Sequence, residues 1–370
     1  MVAVNKYLHI NFLLPAYYAK PVGGFTVVYE YANYLAELGH SIRIIYPRRH
    51  HEFLSPFSIF QPLKDYLRIW ETRLRNQPLV PWFNLHSDIK LLLTPILKSG
   101  HIPDADITVA TSWQTAGAVN ILPESKGEKF YLIQHYEVWC GPKEKVDATW
   151  RMPLKKIVIS KWLQELGKDI GVQDVRHIPN AIDFTRYKVI TPPEKRPLSI
   201  LSLYHHERFK GIPDSIAVLT QFHKIYPDVP VVMFGTPARG NDIPDWITYY
   251  ENPPQNILIG ELYNRSAIYL GASLAEGWAL PPAEAMACGC AFVGTDIGGF
   301  KDYASHGKTA LLSPPGNRED LLHNLCTVAK DSKLLRRIQR AGTNNIQHFT
   351  WESSGAALEQ YFLESCGMKA

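Results

Sequence analysis

The sequence predicts an α/β protein of two doubly wound parallel sheets, and three observations lead there. Short apolar runs alternate with segments of helical periodicity from end to end, the pattern of parallel strands covered by helices. The alternation breaks once, at the Pro-rich stretch Thr191–Pro197, and then restarts. The chain has 370 residues, 46% of them hydrophobic and 20% charged, enough for two buried cores and too apolar for a disordered or fibrous chain.

In order, His9–Leu14 reads as a first strand, with Pro21-Val-Gly-Gly24 as a breaker. Val27, Val28, Tyr31, Tyr34, Leu35 and Leu38 then fall at helical spacing, with Gly39 as the stop. Ser41–Tyr46, Ile107–Val109, Phe130–Ile133, Ile157–Ile159 and Val175–Ile178 read as the next strands. Beyond the Pro-rich stretch, strands are expected at Leu198–Tyr204, Val231–Phe234, Ile257–Ile259, Ile268–Leu270 and Ala291–Val293. The simplest architecture is two Rossmann-like domains, residues 1–190 and 191–349, joined near 184–197. Ligands are then expected at the carboxyl ends of the strands, in the cleft.

A net charge of +4 is mild for a nucleic-acid binder, and no nucleic-acid partner is expected. Five cysteines (Cys140, Cys288, Cys290, Cys326, Cys366) show no paired metal spacing, which argues against a zinc ribbon or disulfide framework and favours a reducing cytoplasm. Lys6 and His9 interrupt the first apolar run, so it reads as a strand rather than a signal peptide, and no run is long enough to span a membrane. Asp104-Ala-Asp106 precedes its strand instead of ending it. It therefore reads as a turn and not as the carboxylate pair of a metal-dependent transferase. Thr111-Ser-Trp113, past the far end of that strand, reads equally as a ligand contact or as packing.

The segment from Arg43 to Arg75 departs from the pattern. It carries seven basic residues against three acidic ones, beside the apolar stripe Leu63, Tyr66, Leu67, Trp70, Leu74. Basic residues next to an aromatic stripe suit an anionic membrane surface; the plainer reading is a helix packed on the first sheet with a solvated face.

The densest chemical signal is the run from Ser273 to Gly289. Pro281-Pro282 opens a helix, which puts Glu276 on the preceding loop and Glu284 in the first helical turn. Two carboxylates so placed can each accept paired hydrogen bonds from vicinal hydroxyls, as sugars and riboses offer. The N–H groups of Gly277, Trp278, Ala279 and Leu280 can serve phosphate or sugar oxygens. The plainer reading makes Glu284 a carboxylate favoured by the helix dipole and Glu276 a loop acid.

The string Ser-x-x-Glu-Gly-Trp-Ala-Leu-Pro-x-x-Glu-Ala-Met-Ala-Cys-Gly resembles the signature of retaining glycosyltransferase family 4, the glycosyl transferases group 1 of GT-B fold. Gly23-Gly24, Ile178-Pro-Asn-Ala-Ile-Asp183, Lys210-Gly211, Thr295-Asp-Ile-Gly-Gly299 and Thr350-Trp351 fit in the expected order. The resemblance implies that Glu276 holds hydroxyls of the donor sugar, Glu284 the ribose, and Lys210 the diphosphate leaving group. Gly23 and Gly24 would bring backbone N–H groups to the same phosphates, and His135 would serve the catalytic centre. Gly235, after Val231–Phe234, joins the donor-binding set. A last helix over about 352–366 would cross back to the first domain.

One departure stands out: the family usually has an arginine about five residues before the lysine, and here His205 stands there. Either His205 replaces it or Arg208 reaches the diphosphate from a shifted position, which an always-charged guanidinium favours. The implied reaction is retaining transfer from a nucleotide-sugar to a glycan or lipid-linked acceptor, with no metal or other cofactor; a non-catalytic sugar-nucleotide binding protein is the alternative. If the basic aromatic segment touches membrane, replacing Arg48, Arg49, Arg68 and Arg73 with Glu removes binding to anionic liposomes in a flotation assay; unchanged binding overturns that reading.

Overall fold

The computed structural model describes residues 7–47 and 79–368, so most of the basic aromatic segment lies outside the described residues. The chain divides into two units at Pro179–Asn180 and at Thr350–Trp351.

The first unit holds a seven-stranded, wholly parallel sheet. In chain order its elements are β1 (His9–Leu13), α1 (Gly23–Glu37), β2 (Ser41–Pro47), β3 (Lys90–Thr94), β4 (Ile107–Ala110), α2 (Trp113–Asn120), β5 (Glu128–Ile133), α3 (Lys143–Trp150), β6 (Lys155–Val158), α4 (Lys161–Asp169) and β7 (Val175–His177). Their spatial order is β3-β2-β1-β4-β5-β6-β7. All four residues of β4, Thr108 included, are buried, as expected of a central strand covered on both faces. α1 forms where the spacing predicts, burying Val27, Val28, Tyr31, Ala32 and Leu35 on one side.

The second unit holds six parallel strands in the order β10-β9-β8-β11-β12-β13. They are β8 (Ile200–Leu203), β9 (Val231–Gly235), β10 (Thr248–Glu251), β11 (Ile268–Gly271), β12 (Ala291–Thr295) and β13 (Ala310–Ser313). Helices α5 (Ile212–Ile225), α6 (Leu280–Ala287), α7 (Arg318–Lys330) and α8 (Ser332–Ile346) cover them. The core runs from Ile200, Val231 and Leu270 in the sheet to Leu219 and Phe222 of α5 and Leu325 and Ile338 of α7 and α8. The final helix, α9 (Trp351–Ser365), belongs to the first unit. There Trp351 meets the edge of Tyr31 at 5.1 Å, and Phe362 meets Phe130 at 4.8 Å.

Three expectations are corrected. Ile257–Ile259 is not a strand: Pro253-Pro254 starts a helix at Gln255–Ile257, which widens into a π-helix over Leu258–Tyr263. Its Ile259, Leu262 and Tyr263 are buried at i, i+3, i+4, a helical spacing that the β-branched run concealed. β3, β10 and β13 form where no strand was expected. β3 and β10 are edge strands with partly exposed faces, and the pairing neighbour rather than propensity makes them strands.

The third correction concerns the Pro-rich stretch, which lies inside the second unit instead of at its boundary. The reason is Arg196, which is buried and donates to the carbonyls of Thr191, Tyr263 (3.2 Å), Ser266 (3.1 Å) and Cys288 (2.6 Å) and to Asn264 Oδ1. That one guanidinium staples the stretch to the sheet. Arg196→Leu leaves these acceptors dry and unpaired, and urea unfolding is expected to show a loss of about 3 kcal/mol or more.

Candidate active site

In the second unit the strand order reverses between β8 and β11, and the loops leaving these two strands must diverge there. An open α/β sheet binds ligands at such a switch point, beyond the carboxyl ends of its strands. The loop after β8 carries Lys210, and the loop after β11 carries Glu276.

The two side chains meet. Lys210 Nζ lies 2.8 Å from Glu276 Oε1 and 2.9 Å from Oε2, and Ser273 Oγ donates to Oε1 at 2.9 Å. Glu276 is buried and the lysine side chain is 16% exposed, so the pair is largely out of water. Backbone geometry imposes the approach. Gly211 is left-handed (φ +63°), and a Cβ there would sit 1.9 Å from the Ala272 carbonyl oxygen. Phe209 O accepts from Leu274 N at 2.6 Å, tying one loop to the other. Lys210 and Glu276 line a recess of about 340 Å³, open mouth included, with Ser202, Ser273, Ala279 and Pro281 among its walls.

Glu284 lies in the second turn of α6 rather than the first, because the helix begins at Leu280, one residue before the prolines. It is half-buried, and burial raises its carboxyl above the usual carboxylate range. The Tyr263 hydroxyl donates to its Oε2 at 2.9 Å, and the nearby Tyr187 phenol also favours the carboxylate. Gly277, Trp278 and Ala279 are buried between the two acids. Trp278 is a core ring, 4.7 Å from Tyr303 and 5.6 Å from Phe349, so its side chain packs the loop. Gly235 closes β9, where a Cβ would meet the Tyr204 carbonyl oxygen at 2.2 Å; close strand packing accounts for the glycine.

His205 does not carry an arginine's charge. Burial, and next the nearby Lys210 charge, push it down to about 4, and its Nδ1 accepts the Glu207 N–H at 3.1 Å. It is neutral at physiological pH. Arg208 lies on the single 3-10 turn Arg208–Lys210, exposed, with no ion pair among the described residues.

In the first unit, Gly23 and Gly24 open α1, and the Gly24 carbonyl accepts from Gln134 Nε2 at 3.0 Å. This bond sets the helix N-terminus against the end of β5, where Gln134 is the first residue past the strand and His135 the second. The His135 ring stands edge-on to Trp139 at 4.1 Å and to Trp162 at 6.0 Å. Thr111, Ser112 and Trp113 take the packing role: Thr111 Oγ1 donates to Leu13 O, Ser112 caps α2 in a reciprocal box with Thr115, and Trp113 is buried. Asp104 pairs with Lys126 at 2.6 Å and Asp106 accepts from His9 N at 2.7 Å, so the pair is a turn into β4. No cluster of metal-ligating side chains occurs among the described residues.

Comparison with known proteins fits this geometry. Residues 183–345 match the family model of glycosyl transferases group 1. This part of the chain is similar to a glycosyl transferases group 1 domain. The chain is 23% identical over 203 residues to a glycogen synthase of Mycobacterium tuberculosis, covering 52% of this chain and 49% of that one. It is 23% identical over 135 residues to a D-inositol 3-phosphate glycosyltransferase of Streptomyces bingchenggensis, covering 36% and 26%. It thus spans about half, or less, of the curated relatives it matches.

Among solved structures, the sucrose-phosphate synthase of Thermosynechococcus elongatus superposes with a TM-score of 0.71 at 14% identity, covering 96% of this chain and 98% of that one. Anabaena HepE in complex with UDP-glucose gives 0.71 at 14%, covering 98% and 100%. At such identities these likenesses establish the fold: two Rossmann-like parallel sheets, as in GT-B glycosyltransferases. The recess with Lys210 and Glu276, together with Glu284, lies inside the matched span, residues 183–345.

Sequence reasoning missed Gln134 and Glu137, whose partners are distant in sequence. Glu137 Oε2 accepts the Trp113 N–H at 2.8 Å, yet burial pushes its carboxyl up to about 7 from an ordinary 4.5. A carboxyl raised by folding holds its proton more tightly in the fold than in the unfolded chain. Its contribution is therefore full at acid pH and is lost as pH rises from about 4.5 to about 7. Across that window Glu137→Gln is expected to remove a fall of about 2–3 kcal/mol from the pH profile of unfolding free energy.

Proposed function

We propose that the chain is a retaining glycosyltransferase that moves a sugar from a nucleotide-sugar donor to a hydroxyl of a glycan or lipid-linked acceptor, in cell-surface polysaccharide synthesis. The observation that carries this reading is the Lys210–Glu276 pair at the switch point of the second unit, in a recess with Ser273. It brings a cation for a departing diphosphate and a carboxylate for sugar hydroxyls to adjoining positions.

Cleaving a glycosyl phosphate builds positive charge on the sugar carbon and negative charge on the leaving diphosphate. Lys210, with Arg208 from the exposed turn before it, would stabilise the leaving group; this electrostatic role asks for no metal. His205, being neutral, would offer a hydrogen bond rather than charge. Glu276 would hold sugar hydroxyls beside the reacting carbon, Glu284 the ribose, and the N–H groups of residues 277–280 the donor's oxygens. In the first unit His135 would meet the donor sugar, and the N-terminus of α1 at Gly23-Gly24 its phosphates. The leaving phosphate itself would take the proton of the incoming hydroxyl on the same face, which gives retention without a protein base.

No helix among the described residues is long and apolar enough to cross a membrane. A cytoplasmic protein resting on the inner membrane face, held by the basic aromatic segment, accords with a lipid-linked acceptor. The neutral His205 in the arginine position favours a second reading, a sugar-nucleotide binding protein without turnover.

One assay separates them: nucleoside-diphosphate release from a panel of sugar nucleotides, with Glu276→Ala alongside. Slow hydrolysis of one donor, reduced at least a hundredfold in the variant, is expected of a working transferase site. Nucleotide binding without release, even with added glycan acceptors, would support the binding protein instead.

A further inference from the structure

Glu284 offers more than an acid on a helix, because the fold surrounds it with uncharged donors. Tyr263 is fully buried at the end of the π-helix Leu258–Tyr263, and its hydroxyl donates to Glu284 Oε2 at 2.9 Å. The wide turn is closed by Asn264 N on Ile259 O at 3.1 Å, an i to i−5 bond. Such single π turns recur at functional sites because they re-aim a side chain. Tyr187, also buried, stands near Glu284 on the loop after Asp183, where its phenol favours the carboxylate form. Gln255 Nε2 lies 3.4 Å from the Tyr187 oxygen, where it donates and so turns the tyrosine's own proton toward the carboxylate.

We propose that Tyr263 and Tyr187 are positioning residues that hold Glu284 as a fixed, ionised acceptor for the two vicinal hydroxyls of a nucleotide's ribose. This rests on the reading of Glu284 as the ribose carboxylate. A carboxylate has about four lone-pair positions. The Tyr263 phenol takes one of them, with the Tyr187 phenol near the same group; positions remain for a pair of neighbouring hydroxyls. A lysine or arginine in place of the phenols would neutralise the acceptor. Two neutral phenols leave its charge unspent, and they oppose the burial that favours the protonated acid.

The surrounding groups leave Glu284 as the titrating one. Tyr187, Tyr263, Tyr269, Tyr303 and Cys288 are all pushed up by burial and stay neutral, while Arg186 keeps its charge and favours the carboxylate. Affinity for a ribonucleotide should therefore fall as pH drops through the raised carboxyl value. Without the Tyr263 donor, that fall should begin at a higher pH.

The test is calorimetry with uridine, adenosine and guanosine diphosphates and their 2′-deoxy and 3′-deoxy counterparts, across pH 5 to 8. The native chain is expected to prefer the ribonucleotide about tenfold. Tyr263→Phe should narrow that preference at least threefold and raise the pH at which affinity falls; Tyr187→Phe, at a less buried ring, should do the same if the first variant does not fold. A native preference that survives unchanged in both variants, with an unchanged pH profile, overturns the positioning role and leaves the reading of Glu284 intact. Native binding with no preference for the ribonucleotide, or no nucleotide binding at all, overturns that reading and this proposal together.

Discussion

Two opposite charges taken out of water must find each other, and the second unit is arranged around that demand at Lys210 and Glu276. Removing one partner of a largely buried pair costs about 3–5 kcal/mol, because the other charge stays behind undischarged. The fold therefore has to deliver two loops, leaving different strands, to one place with ångström accuracy. It does so with a left-handed Gly211, with the bond between Phe209 and Leu274, and with Ser273 on the carboxylate. On the proposed reading, a diphosphate would have to compete with Glu276 for the lysine, which would free the carboxylate oxygens for hydroxyls.

Apolar packing supplies the rigidity that this arrangement needs. Trp278, between the two acids, is locked against Tyr303 and Phe349, so the loop from Glu276 to Glu284 is held from beneath. The Tyr303 hydroxyl reaches back to the Ala279 carbonyl at 3.0 Å and fixes the backbone just before α6. Arg196 acts in the same way at the far side of the sheet, binding carbonyls that would otherwise be dry. In each case a polar group that is costly to bury is satisfied by a residue distant in sequence, which is how a unique loop conformation is specified.

The first unit follows the same rule with different chemistry. Its switch point lies between β1 and β4, and the glycines that open α1 follow β1. Gln134 ties that helix start to the end of β5, which places His135 and its two tryptophans near the same edge of the sheet. Glu137 is the group whose protonation changes near neutrality there, and it caps α2 rather than facing a charged partner.

The sequence by itself determined the α/β class, most strands and α1, and pointed to the acids and lysine of the candidate site. These were legible because strand and helix periodicity are local, and because the run from Ser273 to Gly289 carries its spacing within a few turns of chain. The sequence left open whether His205 or Arg208 serves the diphosphate and did not show that His205 is neutral, nor that Trp278 packs the core. Burial lowers His205, and burial is a property of the folded surroundings that spacing along the chain does not show. Edge strands such as β3 and β10 escaped for the same reason, since a pairing partner makes them strands. Ile257–Ile259 misled because a short apolar run has no period of its own, and tertiary packing turned it into the π-helix that aims Tyr263 at Glu284. Local pattern specified the elements; only the tertiary structure decided which polar groups meet, because hydrogen bonds and burial join residues that the sequence holds apart.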